Sequence, residues 1–142
     1  MRLYLWRALS VGMTPDAVER LILRSFRESR LRDYEHVVCC ERGGELIGVV
    51  GLYRIGRYLS LNQLCVDARC RGRGVGSALL GFVRAAFAGV DLALYVDRGR
   101  EDTECLLRFY SKRGFKAVDA AEGLVVNGDV EVLMTAMGRV IQ

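Results

Sequence analysis

The chain has 142 residues, a formal net charge of +4 and a hydrophobic content of 51%. That length suits one domain, 1–142, able to bury about two-thirds of its unfolded surface, while no apolar run approaches the roughly 20 residues that span a bilayer and the start, Met1-Arg2-Leu3-Tyr4-Leu5-Trp6-Arg7, is too interrupted by arginine for a secretory core. The expectation is a soluble cytoplasmic domain with no membrane contact, mildly basic in a way that suits an anionic ligand without specifying nucleic acid.

Arg2 to Ala8 has strand-like content in Leu3, Tyr4, Leu5 and Trp6. Thr14-Pro15-Asp16 then combines an N-cap, a first-turn proline and an acid, so a helix starts there. Its apolar stripe is Val18, Leu21, Ile22 and Phe26, and its other face carries Arg20, Arg24, Arg27 and Arg30, with Arg32 following. No aromatic interleaving accompanies the arginines, so a solvated face is expected and nucleic acid is not.

His36 to Glu41 and Glu45 to Arg54 read as antiparallel strands joined at Arg42-Gly43-Gly44, and Gly56 turns the chain into a third strand, Tyr58 to Val66. Gly48 and Gly51, inside the middle strand, mark a bulge or a close approach. Cys39 and Cys40 are strand neighbours pointing to opposite faces, which disfavours a shared metal. With five cysteines lacking metal spacing and a single histidine, buried reduced thiols and no metal are expected.

Gly74 to about Ala88 is helical, with Val75, Leu79, Phe82, Val83, Ala86 and Phe87 on one face, and Gly89 ends it. Leu92 to Val96 reads as a strand buried on both faces. A further helix begins near Asp102 or Thr103 and stops at Gly114. Phe115 to Val118 and Val130 to Met137 are closing strands around a polar connection, Asp119 to Gly128. The order predicts an α/β (α+β) domain: a mixed, mostly antiparallel sheet that splays where its two parallel strands meet, flanked by helices.

Chemistry concentrates where the third strand, ending Leu64-Cys65-Val66-Asp67, runs through Arg71-Gly72-Arg73-Gly74-Val75-Gly76-Ser77 into a helix. A helix N-terminus offers unpaired N–H groups and the positive end of the backbone dipole, and glycines let the backbone approach an anion. A phosphate loop of the NTPase kind would need Gly-Lys-Ser/Thr, but this turn has no lysine. A dinucleotide fingerprint from Gly72 and Gly74 would need a third glycine where Ser77 stands. A glycine turn that merely joins strand to helix is the plain alternative.

The remaining pattern, Arg71-x-x-Gly74-x-Gly76 after Leu64-x-Val66-Asp67, resembles the acyl-CoA pyrophosphate loop of the GNAT superfamily of N-acyltransferases. Leu106-Leu107-Arg108-Phe109-Tyr110-Ser111-Lys112-Arg113-Gly114-Phe115, about forty residues on, resembles that superfamily's second signature, with Phe109 where leucine is usual. The resemblance is strong from Tyr58 to Phe115 and rests on element order alone in the flanks.

The resemblance implies acetyl-CoA as co-substrate, its pyrophosphate on the N–H groups of Arg71, Gly72, Arg73, Gly74, Val75, Gly76 and Ser77 and its pantetheine beside Leu64, Cys65 and Val66. A strand N–H, of Leu64 or Val66, would polarise the thioester carbonyl. Tyr110 matches the tyrosine that serves as acid to the leaving thiolate, although helical spacing alone would also put a half-buried aromatic there. Thr103 stands near a cofactor-contacting asparagine of the family, and Leu106 near a small alanine.

Some members carry a carboxylate base on the strand before the loop, where this chain has Ser60, Asn62 and Gln63. Asp97 is the acidic candidate for base, with Glu101 weaker, whereas Asp67 is expected to cap the turn and His36 to fill a strand position. No base partners Cys65 in sequence, so direct transfer without an acyl-enzyme is expected. The implied activity is acetyl transfer to an amine, whether a small molecule, a peptide N-terminus or a lysine. A CoA-binding sensor without turnover is the alternative, and a terminal strand could pair across a homodimer.

Overall fold

The computed structural model describes residues 1–6, 15–26, 29–30 and 33–138. Thr14, Arg27, Arg32 and the end of the first predicted strand, Arg7 and Ala8, lie outside the described residues. The elements are β1 (Arg2–Trp6), α1 (Pro15–Ser25), β2 (His36–Arg42), β3 (Glu45–Ile55), β4 (Tyr58–Val66), α2 (Val75–Ala86), β5 (Asp91–Asp97), α3 (Thr103–Ser111), β6 (Lys116–Val118) and β7 (Glu131–Ala136). The strands form one mixed sheet in the order β1-β2-β3-β4-β5-β7-β6 with one parallel pair, the α/β architecture expected from the sequence. No helix among the described residues is long and apolar enough to cross a membrane.

By internal contacts the chain divides into two compact units, residues 1–53 with 61–87 and residues 54–60 with 88–142. In the first, β1 and β3 flank β2 antiparallel, with Leu3 opposite Cys40 and Val38 opposite Val50. Cys39 and Cys40 are both fully buried, so apolar groups cover both faces of β2, and burial pushes the Cys39 thiol up to about 12. The predicted α1 stripe is the one that packs: Val18, Leu21 and Ile22 join Val37, Cys39, Val49 and Cys65 in one cluster, with Phe26 and Tyr34 at its edge.

Both glycines inside β3 mark close approaches. A Cβ at Gly48 would fall 2.8 Å from Val75 Cγ1, and one at Gly51 2.4 Å from two ring carbons of Tyr34. Gly48 thus admits α2, and Gly51 admits an aromatic ring. On α2 the buried residues are Val75, Leu79, Leu80 and Val83, so Leu80 is buried where the periodicity had assigned Ala86.

In the second unit, β7 lies antiparallel between β5 and β6, pairing Leu94 with Met134 and Ala117 with Met134. Leu92, Ala93, Leu94 and Val96 are all buried, as a strand covered on both faces requires. The connection after β6 is less polar than expected: Leu124 reaches a cluster with Tyr58, Ala93 and Leu133, and Tyr95 OH donates to Val125 O at 2.8 Å.

Candidate functional site

The turn after β4 is built around Asp67, which is only 5% exposed. It caps a 3₁₀ turn, Ala68–Cys70: Arg69 N donates to Oδ1 at 3.0 Å and Cys70 N to Asp67 O at 2.8 Å. The Arg69 guanidinium reaches the same carboxylate at 3.2 Å and Arg24 of α1 reaches Oδ2 at 3.5 Å. The capping role expected of Asp67 is observed, and the Arg69 side chain, then its backbone N–H, hold the carboxyl below the usual carboxylate range.

A carboxyl so depressed stabilises the folded chain above the unfolded value of about 4, and the contribution is lost as pH falls through the lower folded value. Asp67→Asn should therefore cost about 1 kcal/mol at pH 7, with both arginine partners exposed to solvent screening. In urea unfolding the gap between parent and variant should close as pH falls below the unfolded value and through the lower folded value. A gap that persists there would show that the carboxylate's charge is not what holds the turn.

Past the 3₁₀ turn the backbone opens. Gly72 and Gly74 have φ of +75° and +83°, and a Cβ built on either would meet no atom within 4 Å. Gly74 caps α2, whose i to i−4 bonds begin with Ala78 N to Gly74 O at 3.0 Å, so the N–H groups of Val75, Gly76 and Ser77 precede that ladder. Arg71 and Arg73 are exposed at this mouth, Arg71 Nε donating to Val66 O at 3.2 Å. An open left-handed turn, a helix N-terminus and two arginines fit a pyrophosphate.

Along β4, Cys65 is buried with its thiol 3.3 Å from Gln63 O, while Leu64 and Val66 are half-buried. Cys65 therefore faces the core with its side chain. The sequence reading missed Gln63, whose φ of +52° is the left-handed region that costs a non-glycine residue about 1–2 kcal/mol. The visible signal was the polar pair Asn62-Gln63 inside an apolar strand. Its Oε1 accepts from Tyr34 OH at 2.6 Å and Arg30 N at 3.1 Å, and burial raises the Tyr34 phenol above its ordinary value, so it remains a donor.

The second unit holds the other predicted residues. Asp97, exposed at the end of β5, accepts from Gly99 N on Oδ1 at 2.7 Å. Thr103 Oγ1 lies 2.7 Å from Asp97 O and 2.9 Å from Arg100 O, so its hydroxyl proton serves this turn and its lone pairs remain for a ligand. Asp102 does not cap α3 with its side chain: Arg100 takes the carboxylate through two bonds, at 2.7 and 3.1 Å. Tyr110 is 7% exposed, edge-on to Phe109 at 5.2 Å and to Phe115 at 5.6 Å.

Gly114, φ +91°, lets the chain reverse so that Phe115 N donates to Tyr110 O at 3.1 Å. The Gly-Phe ending thus locks the turn carrying Tyr110. Phe109, in place of leucine, stacks under Arg113, whose guanidinium carbon is 3.8 Å from the ring centre. His36 begins β2 with its ring 5.4 Å from that of Phe87. Among the described residues no three His, Cys, Asp or Glu side chains gather as a metal group.

The model of the GNAT acetyltransferase domain matches residues 33–117, from before β2 into β6 and across both signatures. This chain belongs to the GNAT acetyltransferase family. It is accordingly an acyltransferase that depends on acyl-CoA. No curated protein matches it by sequence. Among solved structures it is similar to a GNAT family acetyltransferase from Elizabethkingia anophelis with acetyl-CoA bound, at TM-score 0.69 and 18% identity over 95% of this chain and 97% of that one. It is also similar to an aminoglycoside 6'-N-acetyltransferase complexed with coenzyme A, at 0.69 and 16% over 96% and 97%. Naa50 from Arabidopsis thaliana, in complex with the bisubstrate analogue CoA-Ac-MVNAL, aligns at 0.66 and 17% over 94% and 97%. At such identities these structures establish this acetyltransferase's fold.

Proposed function

We propose that the protein transfers the acetyl group of acetyl-CoA to a primary amine by direct attack. The observation that carries this reading is the turn into α2, where Gly72 and Gly74 stand in left-handed conformations with open space before them. Main-chain N–H groups from Arg71 to Ser77 hold the pyrophosphate, and Arg71 and Arg73 add charge to the same mouth. Leu64, Cys65 and Val66 pair through their backbones with the pantetheine arm, in the manner of an added strand.

Acetyl-CoA supplies an activated thioester acyl group. The N–H of Leu64 or Val66 stabilises negative charge on its carbonyl oxygen as the amine attacks. An alkylamine with a pKa near 10 must first lose a proton, which Asp97 receives, directly or through water. As the C–N bond forms and the C–S bond breaks, Tyr110 gives its phenolic proton to the departing thiolate, and the proton that the nitrogen sheds on becoming an amide returns through water to the Tyr110 phenolate. Thr103 supports the cofactor arm through its remaining lone pairs. The similarity to an aminoglycoside 6'-N-acetyltransferase and to a protein complexed with the bisubstrate analogue CoA-Ac-MVNAL motivates an amine panel: aminoglycosides, polyamines, amino acids and peptide N-termini.

Calorimetric titration with acetyl-CoA tests the donor site. The parent should bind, and Arg71→Ala/Arg73→Ala should bind at least about tenfold more weakly, with less salt dependence. A parent that gives no heat with acetyl-CoA overturns the reading. Binding without thiol release across the whole amine panel favours a CoA sensor, which the absence of a carboxylate at Ser60, Asn62 and Gln63 makes the specific rival.

A further inference from the structure

Gln63 is the one non-glycine residue at positive φ among the described residues, and it immediately precedes the segment assigned above to the donor. Rotation about its N–Cα bond swings the following peptide, and with it the Leu64 N–H. An L-residue persists in the left-handed region only where its surroundings over-determine it, and here the restraints are specific. Tyr34 OH donates to Oε1 at 2.6 Å, and Arg30 N at 3.1 Å donates to the same atom. A backbone N–H can only donate, so the atom facing it is the amide oxygen and the orientation of the Gln63 amide is settled.

Tyr34 is itself immobilised. Its ring covers Gly51 so closely that any Cβ there would overlap it, and it stacks on Tyr53 with centroids 6.2 Å apart at 24°. A rigid ring seated on β3 therefore carries its hydroxyl to a residue 29 positions away in β4. We propose that Tyr34 is a positioning residue for the acyl donor: its hydroxyl holds Gln63 in the left-handed conformation that directs the backbone from Leu64 to Val66. This role rests on the acyltransferase reading. It also accounts for the glycine at position 51, which no local backbone requirement demands.

The test is a cycle of Tyr34→Phe, Gln63→Gly and the double variant. Tyr34→Phe keeps the ring on Gly51 and removes only the hydroxyl. It should move the backbone amide resonances of Leu64 and Cys65 in the ligand-free protein and weaken acetyl-CoA binding about fivefold, the usual size of one hydrogen bond. Glycine adopts positive φ unaided, so in the Gln63→Gly background the same change should alter affinity less than about twofold. A purely structural role would lower the thermal midpoint and the affinity alike in both backgrounds. Two results overturn the proposal: a fivefold loss that persists undiminished beside Gln63→Gly, or Tyr34→Phe with unchanged amides and unchanged affinity. A parent without affinity for acetyl-CoA overturns the functional reading instead, and the ligand-free resonances still judge the Tyr34 to Gln63 link.

Discussion

Gly51→Ala should destabilise the protein by about 2–3 kcal/mol, a fall of about 10 °C in the thermal midpoint for a chain of this size. The added methyl would lie 2.4 Å from two ring carbons of Tyr34 and 2.7 Å from a third, well inside any tolerated contact. The ring cannot lift without taking its hydroxyl from Gln63 Oε1, 2.6 Å away. Relief by movement therefore costs a second interaction. Gly81→Ala is the control: it lies inside α2, is exposed, and a Cβ there meets nothing within 4 Å. That change should stabilise by about 0.5–1 kcal/mol, because alanine is the better helix former. Equal midpoints for the two variants would mean that the Tyr34 ring does not sit over Gly51.

Tyr110→Phe should lower kcat about 100-fold while leaving the acetyl-CoA dissociation constant within about twofold of the parent. The phenyl ring keeps the edge contacts to Phe109 and Phe115, so the fold of α3 is not at issue. The change removes the hydroxyl proposed above as the proton donor, so the thiolate must leave unprotonated or take its proton from water. A kcat within threefold of the parent removes Tyr110 from the chemistry and leaves it as a packing residue. Asp97→Asn in the same assay should slow protonated alkylamines most, and its deficit should shrink with amines of lower pKa, which arrive already neutral. A deficit independent of amine pKa would assign Asp97 to its turn with Gly99 alone.

Much of the glycine turn into α2 was legible because the devices that build it are local. Positive φ at Gly43, Gly44, Gly74, Gly89 and Gly114 falls where the sequence needed turns or helix ends, since steric limits on φ act within one residue. Helix and strand periods then placed Val18, Leu21 and Ile22 on one face of α1 and buried β5 on both faces. Local chemistry misled where two partners competed for one group. Asp102 was an acceptable cap, but Arg100 two residues away takes its carboxylate as an ion pair, and Leu124 brings the supposedly polar connection into the core.

The family, the order of elements and the open glycine turn were thus written in patterns spanning at most a few dozen residues, because backbone sterics, capping and periodicity are short-range. The left-handed Gln63, the seat of Tyr34 over Gly51, the double arginine hold on Asp67 and the inward face of Cys65 were decided by packing alone. Each depends on side chains brought together from distant parts of the chain, as Tyr34 meets Gln63 across 29 positions and Arg24 meets Asp67 across 43, and no local rule of conformation specifies such a meeting.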